Sequence, residues 1–251
     1  MKKIILCGCN GKMGRVIRSC ISNREDCTIV AGVDITEDNT ADFPIFHEID
    51  ACKMEADVII DFSHPSLLQD ILGFSISRRI PIVLATTGYS AEQIEEIHKA
   101  AKKTAIFFTF NMSLGVNLLV ELAKKATLVL GGQFDIEIIE KHHNQKIDAP
   151  SGTAIMLANA INEAGGNQYQ YVYDRHSVVK KRDAKEIGIH AVRGGTIVGE
   201  HEVIFAGRDE ILSLKHTAMS KEIFAVGAIN AAIYMSGKET GMYAMQDMLS
   251  D

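Results

Sequence analysis

From its first residue the chain alternates short β-branched apolar runs with amphipathic stretches, and that alternation restricts the fold more than any other feature. Lys3 to Cys7 is an apolar run, Lys12 to Ser22 has helical periodicity, and Thr28 to Val33 is β-branched again. This is the pattern of a βαβ unit. It continues with strand Asp57 to Phe62, helix Leu67 to Ser77, strand Ile80 to Ala85, helix Ala91 to Lys103 and strand Ala105 to Thr109. Strands that are apolar throughout need cover on both faces, so the intervening helices must flank a parallel sheet. Right-handed crossovers then predict an α/β, doubly wound Rossmann-type domain over residues 1–112.

After Asn111 the periodicity changes. A helix is predicted from Leu114 to Leu130, followed by strands of alternating polarity at Phe134 to Ile138, Thr196 to Ala206 and Glu210 to His216. Alternation of that kind marks a sheet with one buried and one wet face, so residues 113–219 are expected to form an α+β domain around an open mixed sheet, whose exposed face could serve a subunit contact. From Ser220 to Ser236 the chain reads as a helix with a broad apolar face, able to pack back on the first domain.

Composition excludes several functional classes. The 251 residues carry 26 Lys plus Arg against 32 Asp plus Glu, a formal charge of −6, so no overall field draws the molecule to nucleic acid or to an anionic membrane. Apolar runs fall far short of the roughly 20 residues that span a bilayer. The opening Met-Lys-Lys-Ile-Ile-Leu is interrupted by Gly8, Asn10, Gly11 and Lys12 before a signal-type apolar region is complete, so a cytoplasmic location is expected. Cys7, Cys9, Cys20, Cys27 and Cys52 are odd in number, without disulfide or zinc spacing, and are read as small buried residues.

The first strand runs into Gly8-Cys-Asn-Gly11-Lys-Met-Gly14 and then a helix. Glycines in such a turn let the backbone approach a pyrophosphate, whose charge is favoured at a helix N-terminus. Asn10 stands where the dinucleotide fingerprint has its middle glycine, but Asp34 closes the second strand with the carboxylate that accepts ribose hydroxyls in such folds. Two more segments end strands at the same edge of the sheet: Ala85-Thr86-Thr87-Gly88 and Thr109-Phe110-Asn111-Met112. On their residues alone they read more readily as ordinary turns and caps than as ligand contacts. So does Asp61-Phe-Ser-His-Pro65, where Ser63 and Pro65 suffice to start a helix.

The densest polar stretch is Glu140-Lys-His-His-Asn-Gln-Lys-Ile-Asp-Ala-Pro-Ser-Gly-Thr-Ala154. It reads as a loop after a β-pattern, too polar for a core. Histidine exchanges protons near neutrality, and lysine supplies a cation or a proton. Ser151, Gly152 and Thr153, opening a helix, offer N–H and hydroxyl groups to a carboxylate. A zinc site on His142 and His143 is disfavoured, since neighbouring residues point to opposite sides and no cysteine follows; no metal is expected.

The run from Glu137 to Ala154 resembles the signature of the 4-hydroxy-tetrahydrodipicolinate reductase family, also called dihydrodipicolinate reductase, nicotinamide-dependent oxidoreductases of bacterial lysine and diaminopimelate synthesis. The resemblance extends over Gly8 to Arg15, Asp61 to Pro65, Thr86 to Gly88, Asn111 to Val116, His190 to Gly195, Val198 to His201 and Ser236-Gly-Lys. It implies reduction of the cyclic dicarboxylate 4-hydroxy-tetrahydrodipicolinate to tetrahydrodipicolinate with NADH or NADPH. Position by position, it puts the proton-transferring histidine on His142, the proton-donating lysine on Lys146, and substrate contacts on His143, Gly152 and Thr153. Cofactor contacts fall on Gly8, Cys9, Asn10, Gly11, Lys12, Met13, Asp34, Ala85, Thr86, Thr87, Thr109, Phe110, Asn111 and Met112. Family architecture further implies that residues 220–251 rejoin the nucleotide domain and that the second domain's sheet builds a homotetramer.

Two positions depart from the family pattern. Asp34 is followed by Ile35 where many members have arginine, which removes a cation for a 2′-phosphate and predicts that NADH is used at least as well as NADPH; Lys12 and Arg15 remain as nearby cations. Lys221 stands after Ser220 where many members have arginine. The alternative readings are another two-domain NAD(P)-dependent dehydrogenase, which would not need His142, His143, Lys146, Gly152 and Thr153 together, and a non-catalytic dinucleotide sensor, against which the His/Lys cluster argues.

Overall fold

The structure is a computed structural model and describes residues 1–36 and 41–250. Two compact units divide the chain: Met1–Leu114 with Glu222–Asp251, and Gly115–Lys221. In chain order the first unit begins β1 (Lys2–Cys7), α1 (Lys12–Ile21), β2 (Cys27–Val33), β3 (Ile45–Phe46), β4 (Val58–Asp61), α2 (Leu68–Arg78), β5 (Ile82–Leu84), α3 (Ala91–Ala100) and β6 (Ala105–Phe108). There follow α4 (Leu114–Leu130), β7 (Asp135–His142), α5 (Gly152–Ala164), β8 (Gln170–Val172), β9 (Glu186–Arg193), β10 (Gly199–Ala206) and β11 (Ile211–Ala218). The chain ends with α6 (Glu222–Met235), β12 (Gly241–Tyr243) and α7 (Met245–Ser250).

In the first unit every described strand pairing is parallel, in the order β12-β6-β5-β4-β1-β2-β3. Because side chains alternate along a strand, Ile4, Leu6, Ile60, Val83 and Phe107 pack on one face with Ile17 of α1 and Ala228 and Ile229 of α6. Ile5, Ile59, Ile82, Leu84 and Ile106 pack on the other with Ile71 of α2 and Ile97 of α3. Strand order reverses between β1 and β4, the place where open α/β sheets leave a crevice at their carboxyl edge. There Gly8 has φ +74°, and a Cβ on it would collide with the Phe62 carbonyl, while a Cβ on Gly14 would collide with the Gly8 carbonyl and Cys9 backbone. Only glycine fits this close approach.

The second unit is a mixed sheet, β11-β10-β7-β9-β8, with β10 antiparallel to β7 and β11, and β9 parallel to β7 and β8. Ile136 and Ile138, Ile187 and Ile189, and Val203 and Phe205 form its inner face against Leu119 and Ala123 of α4 and Leu157 and Ile161 of α5. The register puts Glu140 opposite His201 and His142 opposite Arg193. The same two-residue period that buries the isoleucines therefore carries Glu140 and His142 onto the inner face.

Several expectations are corrected. The polar stretch after Ile138 is not all loop: β7 runs through His142, and Glu140, His142 and Ser151 are buried. Helix α3 stops at Ala100 and not Lys103, because Thr104 turns inward to meet Ser75 Oγ at 3.1 Å in the core. Strand β10 starts at Gly199 and not Thr196, after a turn in which Gly194 N–H donates to the His142 carbonyl. Cys7, Cys9, Cys27 and Cys52 are buried, Cys20 partly so, and none of the five is in a disulfide. Among the described residues no helix is long and apolar enough to cross a membrane.

Candidate functional site

In the first unit α1 starts at the glycine turn, with Gly11 as an N-cap that offers no side-chain hydrogen bond and no acid in the first turn. The first turn thus brings no carboxylate of its own to these N–H groups, which fits a phosphate. Asp34 accepts from Asn10 N through Oδ2 and from Thr36 N through Oδ1, each at 2.9 Å; each oxygen keeps lone-pair capacity for a hydroxyl. Arg15 Nε and Arg18 Nη1 donate to the Asn10 carbonyl and side-chain oxygens at 3.0 Å, gathering two cations beside the Asp34 partner. Arg18 was not legible from the sequence as part of this group. Lys12 is exposed and Met13 half-buried. Cys9 and Met112 turn their side chains into the apolar core, so only their backbones face the turn region.

Asp61, fully buried at the end of β4, ties this edge together. It accepts from Ser63 N and Oγ, from Thr86 Oγ1 at 2.8 Å and from Tyr89 OH at 3.1 Å. Burial raises its pKa, opposed by the hydrogen bonds from Ser63 and Thr86. Thr86 is therefore a structural partner of Asp61, while Thr87 is exposed beside Gly88, whose φ is +87°. Ala85 N donates to the Asp61 carbonyl. Thr109 Oγ1 and Asn111 make a local turn, Asn111 Oδ1 accepting from Ser113 N at 2.8 Å, and Phe110 is 74% exposed. Pro65 does open a helical turn, with His64 as its cap.

In the second unit the polar end of the inner face is one hydrogen-bonded group. Glu140 Oε2 accepts from His142 Nδ1 at 2.6 Å, Oε1 accepts from Ser151 N at 3.0 Å, and Arg193 grips both oxygens at 2.7 Å. Burial alone would raise Glu140, but donation from Arg193, His142 and Ser151 N–H holds it below the usual glutamate range. Burial lowers His142, with Glu140 pulling against it. His201 meets Ser151 Oγ at 2.8 Å and stacks edge-on to His142 with ring centroids 5.2 Å apart; burial brings it down to about 4. Ser151 caps α5 by accepting from Ala154 N, and a Cβ on Gly152 would meet open space. Lys146 pairs with Asp148 at 2.7 Å and holds it low. His143 is half-buried.

The structure thus brings His142, the start of α5 and Ser151 into one group, with Lys146 and His143 on the connecting segment. Glu140, Arg193 and His201 belong to that group and were not singled out from the sequence. The signal was available for Glu140: extending the two-residue period of Ile136 and Ile138 puts it, and His142, on the buried face. Among the described residues no cluster of three or more His, Cys, Asp or Glu is arranged to hold a metal ion.

Solved structures share this fold. A myo-inositol dehydrogenase from Corynebacterium glutamicum superposes with TM-score 0.58 at 14% identity, covering 93% of this chain and 87% of that one, a likeness of fold alone. Residues 2–112 match the family profile "Dihydrodipicolinate reductase, N-terminus" and residues 115–249 match "Dihydrodipicolinate reductase, C-terminus". The 4-hydroxy-tetrahydrodipicolinate reductase of Clostridium novyi is 49% identical over 249 residues, covering 99% of this chain and 98% of that protein. Its counterpart in Caldanaerobacter subterraneus is 48% identical over 251 residues, with 99% and 98% covered. The solved dipicolinate-bound dihydrodipicolinate reductase from Paenisporosarcina sp. TG-14 has TM-score 0.81 at 24% identity, covering 97% of each chain. The chain belongs to the dihydrodipicolinate reductase family.

Proposed function

We propose that this protein reduces 4-hydroxy-tetrahydrodipicolinate to tetrahydrodipicolinate with NADH or NADPH, using NADH at least as well, the 4-hydroxyl leaving as water while hydride and proton add to the ring. The observation that carries this reading is the buried Glu140–His142 pair joined through Ser151 to the open start of α5, in a chain of this family. A nicotinamide dinucleotide, when bound, supplies the hydride. The glycine turn from Gly8 to Met13 and the α1 N-terminus hold its pyrophosphate, and Asp34 accepts its ribose hydroxyls. Ala85, Thr86, Thr87 and Thr109 to Met112 line the remaining strand ends, several of them through backbone atoms.

Gly152 and Thr153, at the N-terminus of α5, receive a substrate carboxylate, with His143 as a second polar contact. Lys146, an ammonium carried beside Asp148, donates a proton to the carbon next to the hydride acceptor. His142 holds and relays charge near the ring nitrogen or its carboxylate, as a proton exchanged with the substrate. The protein works as a homotetramer; Val192 and Ile211, exposed apolar residues on the sheet of the second unit, support a contact there.

The test is cofactor oxidation by the purified protein when substrate is generated in place from pyruvate and aspartate semialdehyde by the preceding synthase. Oxidation that requires all components supports the reading. Its absence with both NADH and NADPH rejects it.

A further inference from the structure

We propose that Glu140 is a positioning residue that fixes His142 in the tautomer with its proton on Nδ1, leaving Nε2 as the atom that exchanges a proton with substrate. The inference rests on the reading of His142 as the proton-transferring histidine, and it adds what orients the ring and which nitrogen acts.

The argument is a count of donors and acceptors. An ionised carboxylate has about four lone-pair sites and no hydrogen to give. Those of Glu140 are taken by His142 Nδ1, Ser151 N and the two terminal nitrogens of Arg193. At 2.6 Å from Oε2, a bare Nδ1 would set lone pair against lone pair, so the ring must bring the hydrogen. Arg193 also donates to the Val192 and Asp148 carbonyls, which stops the carboxylate from rotating away to another partner. Fork-to-fork pairing of this kind fixes direction as well as charge.

The other nitrogen is left for chemistry. Among the described residues Nδ1 makes the only side-chain hydrogen bond of His142. Gly199 lies close to Nε2, since an added Cβ there would stand 3.1 Å from it, tighter than ordinary contact. The groups facing the ring are Glu140 on its own strand, Arg193 on β9, His201 on β10 and Lys146 on the following segment. His201 Nε2 is engaged by Ser151 Oγ, and Arg193 and Lys146 are cations, so Glu140 is the group that stabilises an imidazolium. When Nε2 gains a proton the Glu140–His142 pair passes from net negative to neutral; when it gives the proton up the pair returns to its starting state.

The test is nitrogen NMR of histidine-labelled protein, with the His142 signals assigned by difference from His142→Asn. Above its titration, wild-type His142 is expected to show a protonated Nδ1 and a bare Nε2. In Glu140→Gln the tautomers should mix and the His142 proton affinity should drop about tenfold, one pH unit. The acid limb of the kcat/KM profile should move down with it, and Glu140→Asp should restore part of the shift. A wild-type ring protonated on Nε2 overturns the proposal, and that spectrum decides even if Glu140→Gln does not fold. An unchanged His142 titration and tautomer in a folded Glu140→Gln overturns it as well. A predicted tautomer in a protein that fails to turn over the dicarboxylate leaves the positioning standing and rejects the functional reading instead.

Discussion

His201 shows what burial does to an ionisable side chain in this protein. It is 5% exposed and titrates at about 4, against about 6.5 for a free histidine. Between those values the unfolded chain binds more protons than the folded one, so stability must rise with pH across that window. The pKa difference corresponds to about 3 kcal/mol. Chemical denaturation at a series of pH values should show the slope, and His201→Gln, which keeps a partner for Ser151 without titrating, should flatten it. At Lys146 the expectation is kinetic. Its partner Asp148 is 59% exposed, so losing the ion pair costs little stability, whereas loss of a general acid costs about 10²–10⁴-fold. Lys146→Ala should lose turnover on that scale while fluorescence titration finds NADH binding unchanged; near-normal turnover would remove Lys146 from the chemistry. His142, His143, Lys146, Gly152 and Thr153 could be named from sequence because they share one dense segment. Arg193 could not, lying 53 residues from Glu140 and meeting it only through strand pairing.

Elements were legible where periodicity was long. Strands β1, β2, β4, β5 and β6 stand out as the apolar runs that a two-faced parallel sheet demands, and the periodicity of α4 covers its observed bounds. Strand β9 escaped because Gly188, which has no side chain to mark the period, sits where Glu137 packs against the backbone; an added Cβ would overlap that carboxylate. Strands β3, β8 and β12 have two or three residues each, too short for any period to register. The end of β2 makes a prediction that belongs to this scale, since it joins Asp34, the glycine turn and α1 through hydrogen bonds to Asn10. Ile35 is 83% exposed, so arginine is tolerated there without repacking. Ile35→Arg should raise kcat/KM for NADPH relative to NADH, because it adds a cation where a 2′-phosphate would otherwise meet Asp34. A wild-type enzyme that already favours NADPH strongly would point to Arg15 and Arg18 as sufficient, and a mutant shifted toward NADH would show that this strand end does not read the ribose.

On the proposed assignments the two units divide the labour. The residues assigned to the dinucleotide all lie in Met1–Leu114, and those assigned to proton transfer and the dicarboxylate lie in Gly115–Lys221. That division was legible as a change of periodicity after Asn111, because a sheet covered on both faces and a sheet with one wet face write different patterns into a sequence. The return of the apolar α6 to the first unit was implied by resemblance, since an apolar helix alone does not say which core it joins. The central step of the proposed reaction is hydride transfer to the ring. The direct measurement supplies NADH dideuterated at nicotinamide C4, together with the enzymatically generated substrate, and follows the product by mass spectrometry. Tetrahydrodipicolinate carrying one deuterium, formed in step with cofactor oxidation, is the predicted result. Product without the label, or cofactor oxidation without reduced product, would contradict the account.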